Sequence, residues 1–86
     1  MSDLATRFQT AADDSKQLSK RPDNDTLLKL YATFKQGSSG NAEGKRPGFT
    51  DLVGSAKYDA WAKLKEMPKE DAMQQYIDLV ESLKNA

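Results

Sequence analysis

The chain has 86 residues, no cysteine, no histidine and a formal net charge of zero. This length predicts one domain over residues 1–86 with a thin core, so a large ligand would lie in a surface groove or between helices. Without cysteine the chain forms neither disulfides nor thiolate metal sites. No apolar run approaches the about 20 residues that span a bilayer, so we expect a cytoplasmic protein without stable membrane insertion.

The charges are distributed unevenly along the chain. Residues 16–65 contain ten basic and five acidic residues, whereas both ends are acidic. Ordinary solvated helix faces would produce this pattern. So would a basic surface whose electrostatic field attracts an anionic ligand. The zero net charge argues against nucleic-acid binding, which usually needs a strongly basic surface.

The first predicted element is an amphipathic helix over residues 3–18. Ser2 is its candidate N-cap, and Pro22 ends the segment. Its buried stripe advances in steps of three and four and consists of Leu4, Phe8, Ala11, Ala12, Ser15 and Leu18.

A second helix is predicted to begin after Asp23, which can act as its N-cap with Asp25 in the first turn. Gly37 and the Ser-Ser-Gly that follows should end this helix. Its apolar stripe consists of Leu27, Leu30, Tyr31 and Phe34.

A long loop should follow, because residues 38–52 are too rich in Gly, Ser, Asn and Pro for a regular element. Within it, Pro47, Phe49 and Leu52 are apolar. We expect these three side chains to anchor the loop on the helices.

Two more helices complete the predicted fold. The third runs from about Gly54 to Lys65 and the fourth begins near Pro68, where the missing N–H costs nothing. The apolar positions of the third are Tyr58, Trp61 and Leu64, and those of the fourth are Ala72, Met73, Tyr76, Ile77, Val80 and Leu83. No strand alternation appears, so the expected class is all-α, with four helices and a long loop between the second and third.

The sequence offers little for catalysis. Most nucleophile–base arrangements need His or Cys, which the chain lacks. A calcium loop starting at Asp23 fails, because Leu28 occupies the position that needs glycine. A phosphate loop over residues 39–46 fails too, because Ser39 stands where the first glycine is needed and Arg46 replaces the magnesium-binding hydroxyl. We therefore predict a binding protein rather than an enzyme, with no metal and no cofactor.

Two lysine–aromatic pairs flank the loop. Tyr31 and Lys35 are four residues apart, as are Lys57 and Trp61, so each pair shares one helix face. A cation beside a flat ring suits a ligand that carries both phosphate and a base. Taken alone, each ring is better explained as core and each lysine as solvated surface, so the pairs by themselves do not identify a ligand.

Four segments in register carry a family resemblance. They are F-K-Q-G, R-P-G-F-x-D-L, G-x-A-K-Y-D-A-W-x-x-L-K and E-D-A-M-x-x-Y-I-D, spread between about Leu4 and Leu83. Their order and spacing resemble those of the acyl-CoA-binding proteins. The resemblance implies an up-down-down-up four-helix bundle that binds long-chain acyl-CoA and acts as an intracellular carrier and buffer. Such a carrier would meet acyl-CoA-using enzymes transiently. We expect a monomer, because the predicted helices leave no large apolar stripe unpaired.

The resemblance also implies which residues contact the ligand. Adenine would stack on tyrosine, lysines would hold the 3′-phosphate, and the acyl chain would lie in an apolar groove. The positions that match the contact residues of the family are Lys16, Tyr31, Phe34, Lys35, Lys57 and Tyr76.

The chain departs from the family pattern at several positions. Phe34 replaces a tyrosine, Tyr58 a tryptophan and Asn41 an aspartate, while Val53 and Ser55 stand where lysines are usual. We expect lysines at 53 and 55 to raise affinity a few-fold at low ionic strength, as exposed charges near the phosphate. Two other functions stay open on the residues alone: a helical protein-interaction module, and a small enzyme acting on CoA esters.

Overall fold

The computed structural model describes residues 3–85, so the N-cap predicted at Ser2 lies outside the described residues. Four helices and no strand occur in this part of the chain. They are α1 (Leu4–Ser15), α2 (Asn24–Ser39), α3 (Leu52–Ala62) and α4 (Lys69–Lys84). The predicted all-α class and the long loop between the second and third helices are confirmed.

Aspartate caps fix the starts of the first three helices. Each carboxylate accepts a backbone N–H from the residue three positions further on, which satisfies an otherwise unpaired donor. The hydrogen bonds run from Thr6 to Asp3 (2.7 Å), from Thr26 to Asp23 (2.8 Å) and from Gly54 to Asp51 (2.9 Å). These bonds hold the pKa of Asp3 and of Asp23 below its usual value. The predicted cap at Asp23 is therefore confirmed.

The first helix ends earlier than predicted. It stops at Ser15, whose hydroxyl donates to the carbonyl of Ala12 at 2.7 Å. The N–H of Lys16 then donates to the Asp13 carbonyl at 3.2 Å, and that of Gln17 donates to the Asp14 carbonyl at 2.9 Å. These local bonds close the helix before the chain reaches Pro22.

Helix directions follow from which residues meet. The pairs are Phe8 with Tyr76, Asp14 with Lys84, Phe34 with Tyr76, and a close approach of Gly37 to Met73. Residue numbers rise together along α1 and α4, so these helices are parallel. They run in opposite senses along α2 and α4, which are antiparallel.

The third helix runs parallel to α2. Lys57 of α3 lies over Tyr31 of α2, and one turn further on Trp61 meets Lys35. The directions are therefore up, down, down and up, as the resemblance implied. A parallel neighbour cannot be reached by a tight turn, which accounts for the long connection over residues 40–51.

The core is an aromatic cluster between α1, α2 and α4. The ring centroids of Phe8 and Tyr76 are 5.3 Å apart, and Phe34 lies 5.4 Å from Phe8 and 5.7 Å from Tyr76. Around them, Leu30, Ile77 and Val80 are buried in the same cluster. The stripes predicted for these three helices thus supply the core.

The predicted helix end spans Gly37 to Gly40, and the structure places it at the last glycine of that segment. Gly37 is buried inside α2, which continues to Ser39 before Gly40 adopts a positive φ of 86°. A Cβ atom on Gly37 would lie 3.1 Å from both the Phe8 ring and the Met73 side chain. The glycine is therefore a site of close helix packing rather than a terminator.

Two of the three apolar anchors predicted for the loop are wrong, whereas the third, Pro47, is half-buried. Phe49 and Leu52 are 85% and 76% exposed. Polar groups of α3 hold the loop instead, because loop carbonyls that pack against the helix need hydrogen-bond donors. The bonds run from Trp61 Nε1 to the Gly40 carbonyl (2.8 Å), Tyr58 Oη to the Gly44 carbonyl (3.0 Å), Ser55 Oγ to the Pro47 carbonyl (3.1 Å), and Arg46 to both oxygens of Asp59 (2.7 and 2.9 Å).

The start of the loop is tied to the link between α3 and α4. Asn41 Oδ1 accepts from the buried Gln36 side chain at 3.0 Å and from the Glu66 N–H at 2.8 Å. The Asn41 amide nitrogen donates to the Glu66 carboxylate at 3.3 Å. An aspartate at position 41 has no such donor and would face Glu66 with like charge. Asparagine therefore fits this chain's loop contact better than the residue usual in the family.

None of the helices in residues 3–85 combines the length and apolarity that crossing a bilayer requires.

Candidate functional site

An open groove of about 640 Å³ separates α2 from the start of α3. We call it the α2–α3 groove. Its floor and walls are mostly apolar, and Arg21 and Lys57 are its cationic members. The lining consists of Arg21, Asn24, Leu27, Leu28, Tyr31, Leu52, Val53, Ala56 and Lys57. This shape and composition suit an extended apolar chain with an anion at one end.

A smaller depression of about 280 Å³ lies between α1, α2 and α4. We call it the α1–α4 notch. Its lining consists of Gln9, Ala12, Ser15, Lys16, Leu30, Tyr31, Phe34 and Tyr76. Tyr31 belongs to both linings, so its half-buried ring stands between notch and groove. An aromatic face beside Lys16 can receive a flat base while the ammonium meets a phosphate.

The lysine–aromatic contacts cross between helices instead of staying within each helix. The Lys57 ammonium lies 5.3 Å from the centroid of the Tyr31 ring, and the Lys35 ammonium lies 4.9 Å from that of Trp61. Both distances are within cation–π range. The pairing within each helix that the spacing suggested is therefore replaced by pairing across the α2–α3 interface.

Five of the six predicted contact residues line the two depressions. Tyr31 lines both, Lys57 lines the groove, and the notch contains Lys16, Phe34 and Tyr76. Lys35 lines neither, because its side chain is half-buried against Trp61. The six positions therefore do not surround a single cavity. Lys35 lies one helical turn after Tyr31, nearer to the loop and outside both depressions.

The ring of Tyr76 is largely core. The residue is 4% exposed, and its hydroxyl donates to Ser15 Oγ at 3.1 Å rather than reaching water. Its edge still borders the notch, so the ring supports the site while its hydroxyl is already paired.

The sequence interpretation missed most of the groove wall. Leu28 departs from the apolar stripe of α2, and this off-stripe leucine was the available signal for a second apolar surface. Arg21 gave no such signal, because it precedes α2 and helical periodicity does not apply to it. It lines the groove because the segment before α2 passes beside it.

The gain in affinity expected from added lysines has different outcomes at positions 53 and 55. Val53 is 67% exposed at the groove, so a lysine there would be solvated. Ser55 is only 5% exposed, and its hydroxyl bonds the Pro47 and Gly48 carbonyls. Ser55→Lys would break these bonds and bury a charge, so the expected gain is wrong for position 55.

Another depression, of about 680 Å³, lies elsewhere and contains none of the six residues. It separates α2, the end of α3 and α4. Lys29 and Lys63 line it together with Asp25 and Asp78. Its cations are matched by carboxylates, which makes it a poorer place for a polyanion than the α2–α3 groove.

Comparison with known proteins places the chain in a family. The sequence pattern described as Acyl CoA binding protein matches residues 5–80. The chain is 46% identical over 80 residues to the acyl-CoA-binding protein homolog of Drosophila melanogaster, covering 93% of each chain. It is also 46% identical over 76 residues to enoyl-CoA delta isomerase 2 of Homo sapiens, covering 88% of this chain but 19% of that protein.

The fold gives the same answer. The crystal structure of Oryza sativa acyl-CoA-binding protein 2 matches with a TM-score of 0.91 at 34% identity, covering 95% of this chain and 89% of that one. The chain therefore belongs to the acyl-CoA-binding protein family.

Proposed function

We propose that this chain binds long-chain acyl-CoA with the nucleotide head at the α1–α4 notch and the acyl chain in the α2–α3 groove. The observation that carries this assignment is the position of Tyr31, which joins an apolar groove to an aromatic notch beside Lys16. One amphipathic ligand can occupy both depressions at once. Its apolar part then leaves water, while its phosphates stay near solvent and lysine.

The position of each contact residue indicates its role in ligand binding. The Tyr31 ring offers a stacking face for adenine once the Lys57 ammonium moves from that ring to a phosphate. Lys16 lies at the edge of the notch and supplies a second ammonium. Phe34 and Tyr76 form the apolar back of the notch. Lys35 keeps a part in this proposal only by leaving Trp61, which its flexible side chain allows.

The wider role is that of a carrier. The whole chain, residues 1–86, acts as one acyl-CoA-binding domain that lowers the free concentration of acyl-CoA and delivers it to acyl-CoA-using enzymes by transient contact. We place it in the cytoplasm as a monomer. The carrier role is supported by the openness of the site, because ligand can enter and leave it.

Replacing Lys57 tests the placement of the phosphates. Lys57→Ala should weaken palmitoyl-CoA binding roughly ten- to hundredfold in isothermal titration, because it removes a charge-assisted hydrogen bond to phosphate. Part of the loss should persist at high salt, where only a direct contact survives screening.

Lys63→Ala is the matched control for this measurement. Lys63 is an exposed lysine just after α3 that lines the other large depression. Its removal should leave affinity within about twofold at high salt, where a distant surface charge contributes little. Equal losses from the two substitutions would show that Lys57 acts only through general charge.

The protein should not turn over its ligand. The proposed site contains no histidine or cysteine to act as base or nucleophile, since the chain has neither. Palmitoyl-CoA incubated with the purified protein should keep its thioester, measured by free-thiol release. Thiol release that rises with protein concentration and persists through further purification would make this domain an enzyme.

A further inference from the structure

Three large apolar side chains stand in solvent beside the groove. Phe49 is 85% exposed, Leu52 76% and Val53 67%. We call these three residues the apolar tip. Phe49 lies at the centre of a turn that the Asp51 N–H closes on the Gly48 carbonyl at 2.9 Å. Neighbouring exposed side chains of this size usually mark an interaction surface.

The backbone beneath the tip is tethered. The Ser55 hydroxyl lies 3.1 Å from the Pro47 carbonyl and 3.2 Å from that of Gly48, just before Phe49. Arg46 forms two hydrogen bonds to Asp59 on α3. The chain therefore presents Phe49 outward from an anchored turn instead of folding it onto the helices.

The tip continues into the α2–α3 groove. Leu52 and Val53 belong both to the tip and to the groove wall. Arg21 and Lys57 are the charged members of that wall, and the described residues that line it include no carboxylate. Apolar side chains next to cations are complementary to an anionic lipid surface, where the first enter the acyl boundary and the second meet headgroups.

We propose that the apolar tip docks peripherally on an anionic phospholipid bilayer and turns the open end of the α2–α3 groove toward the lipid. This inference rests on the proposed function, because it gives the acyl chain a path between bilayer and groove that avoids water. A bilayer fits better than a protein partner. Three side chains fall short of the about 800 Å² per side that a stable protein interface needs, whereas a membrane accepts a few inserted residues. No spanning segment is involved.

Vesicle binding by the ligand-free protein tests the proposal. Phosphatidylcholine vesicles with about 30% phosphatidylserine should co-sediment with the protein, and pure phosphatidylcholine vesicles should bind it more weakly. Phe49→Ser should lower the partition coefficient between vesicles and water by about tenfold or more. The reason is that the variant has no aromatic ring at position 49 to transfer from water into the bilayer. Phe49→Leu, which keeps an apolar side chain at the turn, should retain most of the binding.

Separate titrations distinguish this inference from the proposed function. Phe49 is not among the groove-lining residues, so wild type and Phe49→Ser should bind palmitoyl-CoA equally without vesicles. Failure of wild type to bind palmitoyl-CoA would overturn the proposed function, whereas equal vesicle partitioning of the two proteins would overturn the docking surface. A wild-type dimer that Phe49→Ser converts to monomer, with no vesicle binding, would assign the tip to a protein interface and overturn the proposal as well.

Discussion

Palmitoyl-CoA is expected to bind at least a hundredfold more tightly than free CoA in isothermal titration. This factor corresponds to about 2.7 kcal/mol, which three or four buried methylenes supply at about 0.8 kcal/mol each. The α2–α3 groove is lined by apolar side chains over most of its wall, so a long chain should bury more than that. Binding should strengthen with chain length and level off once the groove is full.

A variant that fills the groove provides the control. Ala56 is a half-buried residue of the groove wall, and Ala56→Phe would occupy space that the chain needs. The variant should lose most of the difference between palmitoyl-CoA and CoA while its affinity for CoA stays the same. Equal affinity of wild type for the two ligands would contradict the placement of the acyl chain and the carrier function with it.

Phe8→Ala is expected to lower the free energy of unfolding by about 3–5 kcal/mol. Phe8 is buried, and its ring contacts both Phe34 and Tyr76 at centroid distances near van der Waals contact. Truncation leaves a cavity at the junction of α1, α2 and α4. Small domains are stable by only about 5–15 kcal/mol in total, so the loss would be a large share.

Urea unfolding followed by far-UV circular dichroism measures this effect. Phe8→Leu should cost less, because it leaves a smaller cavity, and Thr10→Ala on the exposed face of α1 should stay within about 0.5 kcal/mol. The remaining folded Phe8→Ala protein should also bind palmitoyl-CoA more weakly, since the back of the notch loses its support. A cost below about 1 kcal/mol would mean that the aromatic cluster is not the centre of the core.

Helical periodicity was enough to predict α1, α2 and α4, because burial on these three helices is one-sided and repeats at a fixed step. It could not distinguish the two uses of glycine. Gly37 and Gly40 look alike in sequence, yet one permits close packing against Met73 and the other ends the helix with a positive φ. That difference depends on a neighbouring helix, which local sequence does not contain.

The site was predictable as a set of positions but not as an arrangement. Spacing within a helix paired Tyr31 with Lys35, whereas the parallel packing of α2 and α3 pairs Tyr31 with Lys57. The loop was misjudged for a similar reason. Its apolar residues suggested burial, but donors on α3, such as Trp61 Nε1, hold its carbonyls and leave Phe49 in solvent.

The aromatic cluster draws its members from α1, α2 and α4, and α3 contributes none of them. Transient detachment of α3 can therefore occur at a lower free energy than global unfolding, as in other proteins that open by parts. A ligand in the α2–α3 groove touches both walls and holds α3 on the bundle. At a ligand concentration a hundred times Kd this linkage adds about 2.7 kcal/mol to the bound, closed form. The amide hydrogens of α3 should accordingly exchange faster than those of α4 in the free protein, and slow most when the groove is filled.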